Sequence, residues 1–301
     1  MLKPPIKTIV AASGMTIKNQ IKDFKNYLTQ LGYSKSTLSM LPDCVEDFLH
    51  HAKQYPQNIT AKDVQVFYEW LQQRPNRKHG GALSEQYINH HIYALRVFFN
   101  WLELTGEISY NPMSVLTFKR PQGNPREPLS RAEIQSLFDT AKSLKEKAIL
   151  HLFYSCGLRR NEAERLNSKD IHFKTQILYV REGKGAKRRA VPMTVKVSQD
   201  LESYYITERT NQISTNNSEA FILNGSGKRM QGYALNFVLK EILCRTGITK
   251  QVSLHHLRHS IATHLLESGL SIEYVRDFLG HAFLETTQVY AKVNQHQLNK
   301  L

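Results

Sequence analysis

Apolar residues recur every three or four positions through residues 16–105, a spacing that predicts four amphipathic helices forming a small helical domain. The third helix is expected to begin at Thr60, with Asp63 in its first turn, and the fourth after Ser84, because such residues favour helix N-termini. Pro42 falls inside the second pattern and is expected to kink or restart that helix. The predicted core faces contain Ile17, Ile21, Phe24, Leu28 and Leu31; Leu38, Leu41, Val45, Phe48 and Ala52; Val64, Phe67 and Leu71; and Ile88, Ile92, Leu95, Phe99 and Leu102.

The apolar period stops over residues 117–129, which predicts a linker between a four-helix domain at 1–116 and a second domain at 130–301. Prolines stiffen this linker, and Lys119, Arg120 and Arg126 make it basic. A linker of this kind can lie along a phosphate backbone, although an ordinary solvated linker explains the same composition equally well.

The second domain is predicted to be mainly helical with one small β-hairpin. Ser130 and Glu133 form a capping-box pattern at the start of its first helix, and helices are expected to about residue 168. Two strands, at 176–182 and 188–193, flank the glycine-containing turn 183–187. Helices are then expected from about residue 195 to the end of the chain.

The charge of the chain favours a polyanionic partner. Its 301 residues carry a net charge of +14, and the sequence pI is about 9.6. Residues 1–120 hold 14 Lys and Arg against 9 Asp and Glu, and residues 121–301 hold 26 against 17, so both parts are basic. This distribution suits a protein that contacts DNA from two sides, although many basic proteins simply carry solvated lysines.

The three cysteines, Cys44, Cys156 and Cys244, are far apart and include no C-x-x-C pair. We therefore expect no disulfide framework, no zinc site and a reducing, cytoplasmic compartment. The apolar run at residues 9–12 is too short for the core of a signal peptide. No apolar stretch approaches the length of a membrane span.

A set of residues able to attack a phosphodiester without a metal is spread through the second domain. Arginine holds phosphate oxygens bidentately and stabilises transition-state charge, tyrosine can be a covalent nucleophile, and lysine or histidine can move protons. Each residue alone has a commoner explanation as a surface arginine, a solvated turn, a packing histidine or a core tyrosine. In chain order the set is Arg159, Lys184, His255, Arg258, His281 and Tyr290.

Local spacing places several of these side chains. His255 and Arg258 are three residues apart and share a helix face shortly after Ser253, a plausible N-cap. His259 and His264 could be packing histidines, and Gly280 is expected to end a helix directly before His281. Glu162 could orient Arg159, or it could simply favour the N-terminus of the next helix.

The ordered set resembles the tyrosine recombinase (phage integrase) family, in particular its simple two-domain Xer-like members, over about residues 16–295. The motifs are Gly-Leu-Arg with a following Glu at 157–162, the Gly-Lys-Gly hairpin at 183–185, the run 254–264, and Leu-Gly-His at 279–281 with a tyrosine nine residues later. All six family positions are matched. Leu254 and Cys156 stand where many relatives have proline and threonine.

The resemblance implies a two-domain DNA breaking-rejoining architecture, with a SAM-like DNA-binding domain before a catalytic domain and its C-terminal tail. It assigns Tyr290 as nucleophile forming a 3′-phosphotyrosine, Arg159 and Arg258 as phosphate ligands, Lys184 as the acid for the leaving 5′-oxygen, and His255 and His281 as assisting groups. It implies no metal and no cofactor. Further DNA contacts are expected at Arg96, Lys119, Arg120, Lys187, Arg188 and Arg189.

The implied partner is double-stranded DNA with inverted-repeat core sites, bound by a homotetramer or by a heterotetramer with a related recombinase. In the family, the segment corresponding to the tail 291–301 docks on a neighbouring protomer. Integration, excision, inversion and dimer resolution all remain open as biological outcomes. Two other classes also remain open: a type IB topoisomerase, which uses the same chemistry as a monomer, and a non-catalytic DNA-binding regulator derived from a recombinase.

Overall fold

The protein divides into two compact units, residues 1–123 and 124–301. A computed structural model describes residues 17–76, 80–119, 127–181, 188–212 and 218–280. The prediction of a mainly α fold with a small sheet is confirmed. Within these described ranges, none of the helices combines the length and the hydropathy needed to cross a membrane.

The first unit contains the four predicted helices, α1 (Ile17–Gln30), α2 (Lys35–Ala52), α3 (Ala61–Gln73) and α4 (Glu85–Leu104). The backbone N–H of Thr60 donates to the Asp63 carboxylate at 2.8 Å, and the Ser84 hydroxyl accepts from the backbone of Tyr87 at 3.2 Å. These caps satisfy backbone donors that the first helical turn leaves without partners, so both predicted starts are confirmed.

Helix α2 runs through Pro42 without a break, so the predicted restart is wrong. Pro42 is itself buried among the apolar residues of the helix, between Leu41 and Val45. Burial of this face against α1 and α4 outweighs the loss of one backbone hydrogen bond. Edge-to-face contacts between aromatic rings fill the core, with Phe48 5.1 Å from Phe67 and 6.0 Å from Phe99.

The second unit is helical around a three-stranded antiparallel sheet in the order β1–β2–β3. The prediction of two strands is confirmed with shorter bounds, and β1 was missed because it has only two residues. In the described ranges of this unit the helices are α5 (Arg131–Thr140), α6 (Leu144–Leu150), α7 (Arg160–Arg165), α8 (Val195–Tyr204), α9 (Thr210–Gln212), α10 (Gly232–Cys244), α11 (Leu254–Glu267) and α12 (Ile272–Leu279), and the strands are β1 (Ile171–His172), β2 (Ile177–Val180) and β3 (Arg189–Pro192).

The continuous helical region predicted from residue 195 is interrupted between α9 and α10. Here Ala220 pairs with Asn167, and Leu223 pairs with Arg229, as isolated β-bridges. The Arg209 guanidinium donates to the backbone carbonyl of Ala220 at 3.0 Å and so fixes this extended segment. The turn that follows is built on the side chain of Asn224, a residue that favours turns over helices.

Candidate active site

The glycine at position 157 brings two distant parts of the second unit into close contact. Its φ is +58°, a conformation that favours glycine, and an added Cβ would lie 2.9 Å from Cδ2 of Leu279. A π-helical turn at His151–Ser155 precedes it, and the backbone N–H of Cys156 donates to the His151 carbonyl at 2.8 Å. Cys156 is fully buried, which raises the pKa of its thiol to about 12, so it serves as a packing residue.

Arg258 joins this glycine loop to the end of α12. Its side chain is buried on α11 with 1% exposure. One terminal nitrogen donates to the Gly157 carbonyl, and the other donates to the Leu279 carbonyl at 2.7 Å. His255 lies one turn earlier on the same helix and is exposed, whereas Arg258 is buried.

Arg159 reaches the same helix end from the other side of the loop. It is the N-cap residue of α7, and its Nη2 donates to the Gly280 carbonyl at 2.8 Å. Its Nη1 donates to Oε1 of Glu162 at 2.8 Å, and its backbone N–H donates to Oε2 at 2.8 Å. The Arg159 side chain is 25% exposed, so it is only partly buried, unlike that of Arg258. Glu162 thus contacts both the side chain and the backbone of Arg159, and the backbone contact caps the start of α7.

A third arginine, Arg189 at the start of β3, completes the cluster. Its Nε donates to the Phe278 carbonyl at 3.0 Å, and its two terminal nitrogens donate to the Glu162 carboxylate at 3.0 and 2.8 Å. Its side chain is only 9% exposed. The guanidinium thus faces inward onto a carboxylate, which argues against the predicted DNA contact at Arg189.

Three consecutive carbonyls at the end of α12 therefore accept hydrogen bonds from three arginines. Phe278 accepts from Arg189, and the next two carbonyls accept from Arg258 and Arg159. The C-terminus of a helix carries partial negative charge, so this arrangement is electrostatically favourable. Gly280 ends the helix in the left-handed conformation with φ +63°, as the sequence predicts. The arginines thus hold the chain immediately before His281.

Glu162 is the negative centre of the cluster. Burial alone raises the pKa of its carboxyl, but hydrogen bonds and charge from Arg189, with further bonds from Arg159, outweigh burial and lower the pKa to about 2. The carboxylate is therefore ionised at neutral pH and remains bound between the two guanidinium groups.

The neighbouring histidines have structural contacts. Nδ1 of His264 is 2.9 Å from the Tyr154 hydroxyl, and the His264 backbone carbonyl accepts from Arg131 at 3.1 Å. His259 is also buried, so the packing roles expected for these two histidines are confirmed. Nδ1 of His256 accepts from the backbone N–H of Ser253 at 3.1 Å, which caps the start of α11.

The remaining predicted site residues fall into two groups. Arg96, Lys119 and Arg188 are exposed, as a phosphate contact requires, and stay predictions as DNA contacts. Within the described part of the chain, no group of three or more His, Cys, Asp or Glu side chains is placed to hold a metal. The predicted residues outside the described ranges are Arg120, Lys184, Lys187, His281 and Tyr290.

Both units match known families. Residues 127–297 match the phage integrase family, and residues 21–105 match the N-terminal SAM-like domain of phage integrases. A tyrosine recombinase of Thermosipho africanus is 34% identical, over 91% of this chain and 94% of the relative. Tyrosine recombinase XerD of Oceanobacillus iheyensis is 32% identical, over 93% of this chain and 96% of the relative.

The fold agrees with solved structures of the same class. The Tn1549 transposon integrase in complex with a circular intermediate DNA superposes with a TM-score of 0.69 at 17% identity, over 94% of this chain and 99% of that one. The two helical units therefore have the tyrosine recombinase fold. The chain belongs to the phage integrase family, and Xer-type tyrosine recombinases are among its relatives.

Proposed function

We propose that this protein is a site-specific DNA recombinase that cleaves and rejoins strands through a 3′-phosphotyrosine at Tyr290. One observation carries the proposal: Arg159 and Arg258 converge on the carbonyls that directly precede His281. Tyr290 follows nine residues later in sequence. Two arginines at this helix end and a tyrosine that follows shortly after it in the sequence match the chemistry of phosphoryl transfer.

In the proposed reaction the Tyr290 oxygen attacks the scissile phosphorus, and the hydroxyl proton passes to one of the assisting histidines, His255 or His281. A P–O bond forms to the tyrosine, and the bond to the 5′-oxygen breaks. Lys184 donates a proton to that leaving oxygen, while Arg159 and Arg258 stabilise charge on the non-bridging oxygens. His255 and His281 hydrogen-bond the phosphate or assist the proton transfer. A 5′-hydroxyl of a second strand then attacks the phosphotyrosine, restores the tyrosine and joins the new strand.

The substrate of the proposed reaction is duplex DNA with two inverted half-sites. The net charge of +14 and the SAM-like domain at residues 21–105 support a DNA partner. Because each cleavage stores the bond energy in the phosphotyrosine, strand exchange needs no external energy source. Four protomers acting on two sites, either identical or paired with a related recombinase, complete the proposal.

Covalent capture tests the reaction without knowledge of the site. The full chain is incubated with a pool of nicked duplexes of randomised sequence, denatured, and recovered with any attached DNA for sequencing. Wild-type protein should enrich sequences with inverted half-sites. Tyr290→Phe should capture nothing while still shifting duplex DNA on gels, and Tyr274→Phe, which alters an exposed tyrosine on α12, serves as the matched control. Capture by the Tyr290→Phe variant would refute Tyr290 as the nucleophile.

The recovered site also distinguishes the reaction class. Two labelled copies of it should yield recombinant duplexes and a four-way junction intermediate. Relaxation of supercoiled plasmid without junction products would instead indicate a topoisomerase, and binding without capture would indicate a regulator.

A further inference from the structure

Arg189 lies outside the six family positions, yet it makes three of the hydrogen bonds that organise the cluster. Its planar guanidinium contacts both oxygens of Glu162, at 3.0 and 2.8 Å. Such a two-point contact fixes the plane of the carboxylate as well as its position. Its remaining nitrogen, Nε, donates to the Phe278 carbonyl at 3.0 Å, so one side chain links β3, α7 and α12.

Glu162 passes this constraint on to Arg159. Oε1 accepts from Nη1 of both arginines, and Oε2 accepts from Nη2 of Arg189 and from the backbone of Arg159. The carboxylate can therefore rotate only if contacts with both arginines change. The position of the Arg159 guanidinium thus depends on how Arg189 holds Glu162.

Charge balance gives Arg189 a second effect on Arg159. A buried carboxylate facing one arginine makes a neutral pair, and its negative charge cancels much of the attraction of that arginine for a phosphate. With Arg189 added, two cations share one carboxylate and the cluster keeps a net positive charge. The side chain of Glu162 is 2% exposed, so water does little to screen these interactions.

Close packing shows that Arg189 has little room to move. A Cβ added at Gly280 would lie 2.9 Å from Cδ of Arg189 and 3.0 Å from its Nη1. The side chain therefore lies directly against the residue that precedes His281. In the sequence, Lys184 lies five residues before Arg189, the first residue of β3.

We infer that Arg189 is a positioning residue for DNA cleavage, which holds Glu162 so that Glu162 orients Arg159 on the scissile phosphate and leaves it with net positive charge. This inference rests on the proposed function, because it presupposes that Arg159 binds the phosphate. It predicts that Arg189 acts through Arg159 and not through DNA binding.

A double-mutant cycle tests the inference on a nicked duplex recovered by covalent capture. Single-turnover adduct formation is measured for wild type, Arg159→Ala, Arg189→Gln and the double variant, at saturating protein. Arg189→Gln should slow cleavage about 100-fold, as expected for a misplaced reacting group, with little change in the Kd for DNA. The double variant should cleave no more than about threefold slower than Arg159→Ala alone, because coupled residues are not additive. If the rate reduction of the double variant instead equals the product of the two single reductions, the inference is overturned.

Two further variants separate positioning from general loss of charge or stability. Arg189→Lys keeps the charge and is expected to fold, but one ammonium cannot reproduce the planar two-point contact, so cleavage should stay at least about tenfold slow. Full rescue by lysine would overturn the positioning role. Arg276→Gln removes a half-buried arginine of α12 whose partner is the exposed Asp277, and it should cleave at the wild-type rate. If wild type forms no adduct, the proposed function fails; if wild type cleaves and Arg189→Gln cleaves equally fast, only this inference fails.

Discussion

Replacement of Glu162 by glutamine tests the energetics of the arginine cluster without altering the shape of the side chain. The amide keeps one acceptor oxygen, but it turns the other into an NH₂ group that faces a guanidinium. Arg189, at 9% exposure, then loses its counter-charge. Removal of one member of a buried ion pair is strongly destabilising, because the other charge remains desolvated.

The magnitude follows from the pKa of Glu162. Its pKa falls from 4.5 to about 2 in the folded protein. Because the folded pKa is depressed, the stabilisation is fully present above the unfolded value and is lost as the pH falls through the folded one. The shift corresponds to about 3 kcal/mol at pH 7. Glu162→Gln should therefore lower the free energy of unfolding of the second unit by about 3 kcal/mol at pH 7, and this difference should shrink below about pH 4.5.

Denaturant unfolding followed by two probes measures this difference within one molecule. Both tryptophans, Trp70 and Trp101, lie in the first unit, so their fluorescence reports that unit. Far-UV circular dichroism reports both units. The substitution should move the dichroism transition of the second unit and leave the tryptophan transition unchanged.

Glu219→Gln is the matched control for loss of one carboxylate. Glu219 is 65% exposed and pairs with Lys169 at 3.2 Å, and such surface pairs contribute at most about 1 kcal/mol. Equal stability of wild type and Glu162→Gln at pH 7 would refute the reasoning. A difference that stays constant down to pH 3 would refute the ionic origin of the effect.

Three further predictions concern the loop, the hairpin and the DNA. Gly157→Ala should destabilise the second unit by about 1–3 kcal/mol, because it forces an unfavourable φ and a close contact with Leu279. The control Gly247→Ala places its methyl group in open space and should cost under about 1 kcal/mol. Denaturant unfolding measures both variants, and equal losses of stability would refute the close approach of Gly157 to Leu279. Lys184→Ala should cleave a normal phosphodiester slowly. Its cleavage rate should recover on a substrate with a 5′-bridging sulfur, because the thiolate leaves without needing a proton. Gel quantification that shows no recovery would exclude Lys184 as the acid. The logarithm of the DNA-binding constant of the full chain should fall with the logarithm of the salt concentration, with a slope of about −0.9 per neutralised phosphate. A binding constant that does not change with salt would contradict binding through the DNA phosphates.

Local sequence signals were sufficient for the helices whose starts carry a side-chain cap. Thr60, Ser84 and Ser130 mark α3, α4 and α5 because the cap and the helix are formed by neighbouring residues. Gly280 ends α12 for an equally local reason, its left-handed φ. The restart predicted at Pro42 was wrong because burial against other helices keeps α2 continuous, and a local sequence pattern does not report such burial.

The hydrogen-bond partners of the residues in the arginine cluster could not be predicted from their spacing in the sequence. Arg189 and Arg188 are adjacent and basic, but Arg189 shares a face of β3 with the buried Val191, whereas Arg188 precedes the strand and is exposed. Arg189 and Glu162 are 27 residues apart, so their contact depends on how the sheet packs on α7. From sequence alone, a basic residue close to the Gly-Lys-Gly motif at 183–185 is interpreted as a DNA contact, because its carboxylate partner is distant in the sequence. Glu162 offered a partial signal, since an acidic residue three positions after Arg159 needs a counter-charge if it is buried.

The most direct test of the proposed chemistry is to identify the residue that becomes joined to DNA. Trypsin cuts after Arg276 and Lys292, which leaves Tyr290 as the one tyrosine in peptide 277–292, while Tyr274 falls in the preceding peptide. Adduct formed on the captured site is digested with nuclease and trypsin and analysed by mass spectrometry. Peptide 277–292 should carry a nucleotide attached through a 3′-phosphate at Tyr290. A nucleotide on any other peptide, or no adduct on a site that the protein binds, would contradict the assignment.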